Sequence, residues 1–399
     1  TSLRARLWST VDERRLAPDD LRLRRERRAA DRGGRFDVQA TWRPADRALA
    51  TAPLRVDLTA AATWSVQSAF HQELVTRDIF PVTAARTDTT LAVGFGRSEY
   101  LPRVTVDGRP LNLYARLEAT RRFAGGGSTP RHAIVAGGEW RLDRNRGAGR
   151  QFDPLEPPRQ NFLVGDRPRA FADVPALAQL ALYAEDRLRA APFGRALDVQ
   201  AGVRADVLQP RGVRGGAFGT VVGPRLNASW SLLPRASAAL LRVRGGAGVT
   251  AKAPTLAQLS PGPRFFDLVN FNYFAADPAE RLAIVTTRVI ARDARGLRAA
   301  RARKAELGLD GGWRGAFGTL VAFDERTTGA FGATRIPVVL PVERFRLAET
   351  PTGRPPVVDP VPVRTDTLLS AYDAPVNSRR IASRGVELTL DLPEWRPVR

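Results

Sequence analysis

Long runs of this chain sort by parity. Between residues 54 and 70 the even positions read Leu, Val, Leu, Ala, Ala, Trp, Val, Ser, Phe, and the odd ones Arg, Asp, Thr, Ala, Thr, Ser, Gln, Ala. A period of two belongs to a strand, whose side chains point alternately to its two faces. The run is long, since strands of soluble domains mostly hold about 5–6 residues. Residues 111–123 repeat the pattern, with Leu111, Leu113, Ala115, Leu117 and Ala119 against Asn112, Tyr114, Arg116, Glu118 and Thr120. Residues 133–142 answer it after AGGGSTP (124–130), a hairpin turn by composition. Three more pairs follow: 177–188 with 196–207 around RAAPFG, 220–232 with 238–250 around LLPRAS, and 304–313 with 316–328 around WRGA. A last run, 378–392, sets Val386, Leu388, Leu390 and Leu392 against Glu387, Thr389 and Asp391, then ends in the turn PEWRP. The expectation is an all-β chain of roughly ten to twelve antiparallel strands.

The connections are of two kinds. Residues 143–176, 251–303 and 329–380 are long, Pro-, Gly- and Arg-rich and only partly patterned, whereas connections in compact soluble domains have a median of about 4–6 residues. Short turns alternating with long loops is the habit of transmembrane β-barrels, with short periplasmic turns and long extracellular loops. The strand pattern at 281–292 (RLAIVTTRVIAR) then belongs inside a long loop, because counting it as a spanning strand would put WRGA on the wrong side. Residues 83–103 resist phasing: 89–95 alternate weakly between Pro81 and Pro102, and an odd strand fits there. Residues 1–35 are charged and short of apolar periodicity, and 18–30 read as a helix capped by Asp19 and Asp20. They are expected to form a poorly structured or short helical lead-in to a partial barrel over 36–399. The alternation alone does not say whether the apolar face meets a soluble core or lipid.

Composition narrows the choice. No apolar run approaches the roughly 20 residues of a spanning helix, which excludes a helical membrane protein and leaves a barrel open. There is no Cys, hence no disulfide framework or thiolate site, and no Met, so a chain opening at Thr1 reads as a processed or truncated piece. Net charge is +21, yet the 62 basic residues include only two lysines, Lys252 and Lys304. That Arg excess, beside abundant Ala, Gly and Pro, resembles GC-rich codon usage more than a phosphate-binding surface, which uses both cations. The densest run, 22–35, carries acids and no interleaved aromatics. A soluble or surface β-rich binding module is the first alternative, and a basic nucleic-acid binder the second; no nucleic-acid partner is expected.

No site for chemistry stands out, so no enzyme activity, metal or cofactor is expected. His71 and His132 both sit in strand patterns; Glu185 and Asp186 are adjacent and point to opposite faces; Gly245, Gly246 and Gly248 lie inside a strand with no Gly-Lys-Ser/Thr after them. One loop is distinctive: RFFDLVNFNYF crowds Phe265, Phe266, Phe271, Tyr273 and Phe274 together. Such a cluster is either a ligand-binding surface or the packing of the loop against its neighbours. Trp42, Trp64, Trp140, Trp230, Trp313 and Trp395 mostly fall near strand ends, where an interfacial girdle places them, Trp313 and Trp395 most clearly.

LYAEDRL (182–188) followed by VQAGVRAD (199–206), GVTAKAPTLAQL (248–259), GLRAARARKAELGLD (296–310) and SRGVELTLDL (383–392) stand in an order and spacing that resembles the barrel of TonB-dependent outer-membrane receptors, especially the SusC/RagA-like group. The resemblance spans 54–399 and implies an internal fragment of a larger antiparallel barrel, its plug and TonB-contact segment lying outside this chain. It further implies a location in the outer membrane of a Gram-negative bacterium and uptake of a nutrient such as a siderophore, glycan or peptide. The implied partners are membrane lipid, the TonB complex and, in some members, a surface lipoprotein.

Overall fold

A computed structural model describes residues 1–16, 19–20, 24–44, 53–123, 131–158, 164–210, 220–234, 237–292 and 296–393. Its backbone is one antiparallel meander of twelve strands, each paired with the next in order. They are β1 (Ser2–Leu16), β2 (Arg25–Trp42), β3 (Leu54–Glu73), β4 (Pro110–Phe123), β5 (Arg131–Asn145), β6 (Leu177–Ala190), β7 (Leu197–Pro210), β8 (Thr220–Ser231), β9 (Leu240–Lys252), β10 (Ala300–Trp313), β11 (Ala316–Arg344) and β12 (Arg364–Asp391). Among the described residues β1 and β12 do not pair with each other.

Register carries the parity of the sequence across the whole sheet. One row of facing residues runs Thr41, Asp57, Glu118, Gly137, Tyr183, Arg204 and Gly223, and all point to the same side. That side is polar and internally paired. Thr41 Oγ1 donates to Asp57 at 2.6 Å. Arg116 pairs with Glu118 and donates to the Tyr183 hydroxyl, which donates on to Glu118. Arg204 bridges Glu139 and Asp206, and Glu185 receives both Arg187 and Arg225. The other side exposes Leu58, Leu117, Leu182, Leu226, Leu307 and Leu388. A contiguous apolar face of this extent is not stable against water; it fits lipid, with the charged ladder on the lumen side. Trp42, Trp230 and Trp313 stand on the apolar side at the short-turn ends of β2, β8 and β10, as an interfacial girdle requires. Trp395 and the turn at 124–130 lie outside the described residues.

Two expectations need correction. The charged lead-in is barrel: β1 pairs with β2 over its full length, and β2 pairs with β3. In β1 the apolar phase is carried by Leu3, Leu7 and Val11, with Arg4, Arg6, Trp8 and Asp12 opposite. High charge was compatible with a strand because one whole face of this sheet is polar. The helix read at 18–30 is replaced from Arg25 onward by β2, and 17–18 and 21–23 lie outside the described residues.

The third long connection is also shorter than expected. Residues 329–344 and 364–380 continue β11 and β12 as one extended hairpin, which leaves only 345–363 between them. Register slips twice in that ladder, between Thr327 and Ala330 and between Ala330 and Gly332, one residue gained on each strand. Each strand therefore reverses its phase there. Gly329 takes a left-handed φ of 66° at the slip, and the Asn377 side-chain amide donates to its carbonyl at 2.6 Å. Beyond it Val338, Leu340, Val342, Leu368 and Tyr372 turn inward.

Candidate functional site

Those inward residues are the foundation of a second layer. A four-stranded sheet forms from Val164–Gly165, Arg264–Tyr273, Leu282–Ile290 and Thr89–Val93, in that order. It is assembled from the long connections that follow β3, β5 and β9. The 281–292 pattern thus lies inside a loop as expected, and the unphased 83–103 segment supplies the edge strand that pairs with it. Phe266 and Leu268 are fully buried against Leu340 and Val342. At 25 cal/mol per Å² a buried Phe or Leu contributes about 1.5–3 kcal/mol, enough to hold a layer this small.

A buried ion pair crosses the layer. The Arg167 side chain is 2% exposed; its Nη2 donates to both Asp267 carboxylate oxygens at 2.9 and 3.0 Å, and its Nε donates to Ala85 O at 2.9 Å. Thr287 Oγ1 donates to the same carboxylate at 2.8 Å, and the guanidinium lies 5.2 Å from the Phe265 ring centre. Residues from four separate segments meet in this one cluster. On the hairpin side Asn270 donates to Glu343 O and Arg344 to Val269 O.

The five loop aromatics divide. Phe265 and Phe266 are buried packing residues, while Phe271 and Tyr273 are half-buried. Phe274 is 50% exposed, in a T-shaped contact with Phe95 at 5.2 Å and with the Arg281 guanidinium 4.1 Å from its ring centre. None of the five lines either of the two cavities that the loop segments form against the upper ends of the barrel strands. Of those cavities, one of about 800 Å³ is lined by His71, Glu73, Arg150, Asp166 and Arg264. The other, of about 700 Å³, is lined by Arg150, Arg169, Phe171, Leu256, Gln258 and Arg292. The first lies where the loop segments meet the upper end of β3, the second where they meet the upper parts of β11 and β12. Sequence reading missed these arginines, since in a chain with 62 basic residues no single one stands out.

Arginines dominate the electrostatics of the second cavity, with Asp373 also in its lining. Burial lowers the pKa of Arg169 below the usual guanidinium range, which nearby Asp173 offsets only in part. Burial lowers that of Arg292 too, and the charges of Arg264 and Arg169 push it the same way, against the opposing charge of Asp373. Elsewhere His132 Nδ1 sits 2.7 Å from Asp186 on the apolar side, while Glu185 is buried in the lumen ladder. The adjacent carboxylates are thus split between faces as their spacing predicts. No cluster among the described residues could hold a metal ion.

Similar solved structures span more than this chain. A mutant of the ferric enterobactin receptor PfeA of Pseudomonas aeruginosa, in complex with enterobactin, matches 98% of the chain and 56% of its own length, at 15% identity and TM-score 0.47. The siderophore receptor PirA of Acinetobacter baumannii matches 97% and 55%, at 14% and 0.46. The RagAB peptide transporter matches 82% and 35%, at 12% and 0.40. No curated protein matches the chain. The family model described as TonB dependent receptor-like, beta-barrel, matches residues 4–398, and the chain belongs to that family.

Proposed function

We propose that this chain is the barrel part of an outer-membrane receptor that takes up a scarce nutrient at the expense of energy delivered through TonB. The observation that carries the reading is the family match over residues 4–398. The two-faced sheet supports it: apolar side chains outward, a charge-paired ladder inward, and a folded loop layer with two cavities over one end. A siderophore, glycan or peptide is the substrate class expected, and a surface lipoprotein is a further partner of the same reading. The barrel should fractionate with the outer membrane and migrate faster on gels before boiling than after. Cells lacking the protein should leave one nutrient unconsumed in spent medium, and intact cells should do the same when the proton gradient is dissipated. Uptake that survives both treatments would sink the proposal.

A further inference from the structure

The apolar outer face gives way to arginine at one level of β10 to β12. Parity puts Arg301, Arg303, Asp324, Arg326 and Arg384 on the same side as Leu307, Leu320 and Leu388. In register Arg303 stands directly opposite Arg326, and Asp324 directly opposite Arg384. The Asp324 carboxylate is shared: Arg326 Nε and Nη2 donate to it at 2.9 and 3.0 Å, and Arg384 Nε lies 2.6 Å from it. The side chains of Arg301 and Arg303 make no hydrogen bond or ion pair among the described residues. Like charges facing each other across a strand pair are unfavourable. Asp324 serves Arg326 and Arg384, so the facing of Arg303 and Arg326 is left for another anion to relieve.

The level of the patch follows from strand geometry. Arg303 lies ten residues up β10 from Trp313 in the lower girdle. At about 3.3 Å per residue and a strand tilt of about 40°, that is about 25 Å along the membrane normal, the height of the apolar band of such barrels. The patch therefore sits at the far edge of the band, on the long-loop side, where the headgroups of the outer leaflet begin. The level alone does not call for arginine, since β8 and β9 carry Val222, Pro224 and Val249 on the same face. A groove of about 710 Å³ adjoins the patch, lined by Pro224, Leu226, Ala247 and Val249 with Arg303 and Arg326 at its border. It is open because Ala247 faces Ala305 there, whereas Leu307 and Leu309 stand out from the same face lower on β10.

We infer that Arg303, Arg326 and Arg384 form a binding site for the phosphate of an outer-leaflet lipid, with an acyl chain lying in the groove beside Leu226 and Ala247. A phosphate between Arg303 and Arg326 relieves their like-charge facing and accepts from forked donors, a geometry that Lys does not offer. A lipid is the occupant, not a free anion, because the charge and the groove are contiguous on a face already turned to lipid. The inference rests on the two-faced barrel and goes beyond the uptake reading.

The test uses the intact receptor carrying this chain, purified in detergent, with native mass spectrometry as the readout. Three probes are compared: dioleoyl phosphatidic acid, dioleoylglycerol and glycerol 3-phosphate. Phosphatidic acid should stay bound and the other two should not. Arg303→Gln and Arg326→Gln should each weaken its retention tenfold or more, Arg303→Lys less, and Arg189→Gln, which pairs with Asp198 on the lumen side, not at all. Arg303→Gln carries the test where Arg326→Gln fails to assemble, because Arg303 has no partner among the described residues whose loss could disturb the ladder. Equal retention of dioleoylglycerol would mean an apolar groove and nothing more, equal retention of glycerol 3-phosphate a site for free anions, and unchanged retention by Arg303→Gln no site at all. Each of these results overturns the inference. A receptor that keeps phosphatidic acid but fails the gradient test leaves the lipid site standing and the uptake reading lost.

Discussion

The Arg167–Asp267 pair gives the sharpest test of how the loop layer is held. Asp267→Ala removes the carboxylate that meets Arg167, leaving a 2% exposed guanidinium with, among the described residues, the carbonyls of Ala85 and Asp166. Removing one partner of a buried pair costs about 3–5 kcal/mol. The Thr287 hydroxyl loses its acceptor as well, worth about 1 kcal/mol more. Since each 1.4 kcal/mol is tenfold, opening of the layer should become roughly 10³–10⁴ times more frequent. The barrel strands are separate ladders and should not change. Amide hydrogen exchange on the assembled barrel reads both: residues 265–269 and 284–289 should lose protection while those of β6 and β7 keep theirs. The double variant Arg167→Met with Asp267→Leu, which leaves no charge behind, should recover most of the loss. If Asp267→Ala leaves exchange of the loop sheet unchanged, the pair is not what holds it.

Leu388→Arg on the apolar face, where Leu388 is 64% exposed, should cost about 2–4 kcal/mol in a lipid-embedded barrel, and Thr389→Arg, which faces Thr319 on the lumen side, far less; equal denaturant midpoints in vesicles would refute the facing. Phe266→Ala should destabilise the loop layer by about 3–5 kcal/mol and Phe274→Ala by under about 1, seen as differential proteolysis of the loops. Asp359 is held below the usual carboxylate range by the Val361 backbone N–H and by Arg346. Its contribution is therefore present above the unfolded carboxylate value and is lost as pH falls through the lower folded one, so the 345–363 connection should loosen only in acid below about pH 4. Proteolysis of that connection that rises toward alkaline pH instead would contradict the sign.

Much of the barrel was legible because a single physical rule, opposite solvents on opposite faces, writes itself as parity. Leu197, Val199, Ala201 and Val203 against Asp198, Gln200 and Arg204 could hardly be read otherwise, and the register bears them out. The rule failed at β1 and β2 because charge density was weighed ahead of phase; Leu3, Leu7 and Val11 were there to be counted. The loop sheet was legible only in part. RLAIVTTRVIAR declares a strand, but its partners, Arg264–Tyr273 and Thr89–Val93, lie far away along the chain, and no local pattern encodes such pairing. The cavity arginines were the least legible of all, since what distinguishes Arg169 or Arg292 from the rest is its place in a cavity wall, held by the carbonyls of Ser260 and Gly262, a property of three dimensions.

The extended hairpin shows why a phase break deserves as much weight as a phase. Had β11 and β12 kept one register, the residues after Gly332 would have turned Val338, Leu340 and Val342 to the side that Leu320 and Leu388 occupy below, and nothing apolar would face the lumen for Phe266 and Leu268 to cover. One extra residue on each strand, eased by the left-handed Gly329 and pinned by Asn377, exchanges the two faces without ending the ladder. The same strands then serve two solvents in succession, lipid outside below the slip and a protein core inside above it. The loop layer, and with it the walls of both cavities, stands on barrel strands as well as on loops. A ligand bound in the second cavity would therefore be coupled to the barrel wall directly through β11 and β12.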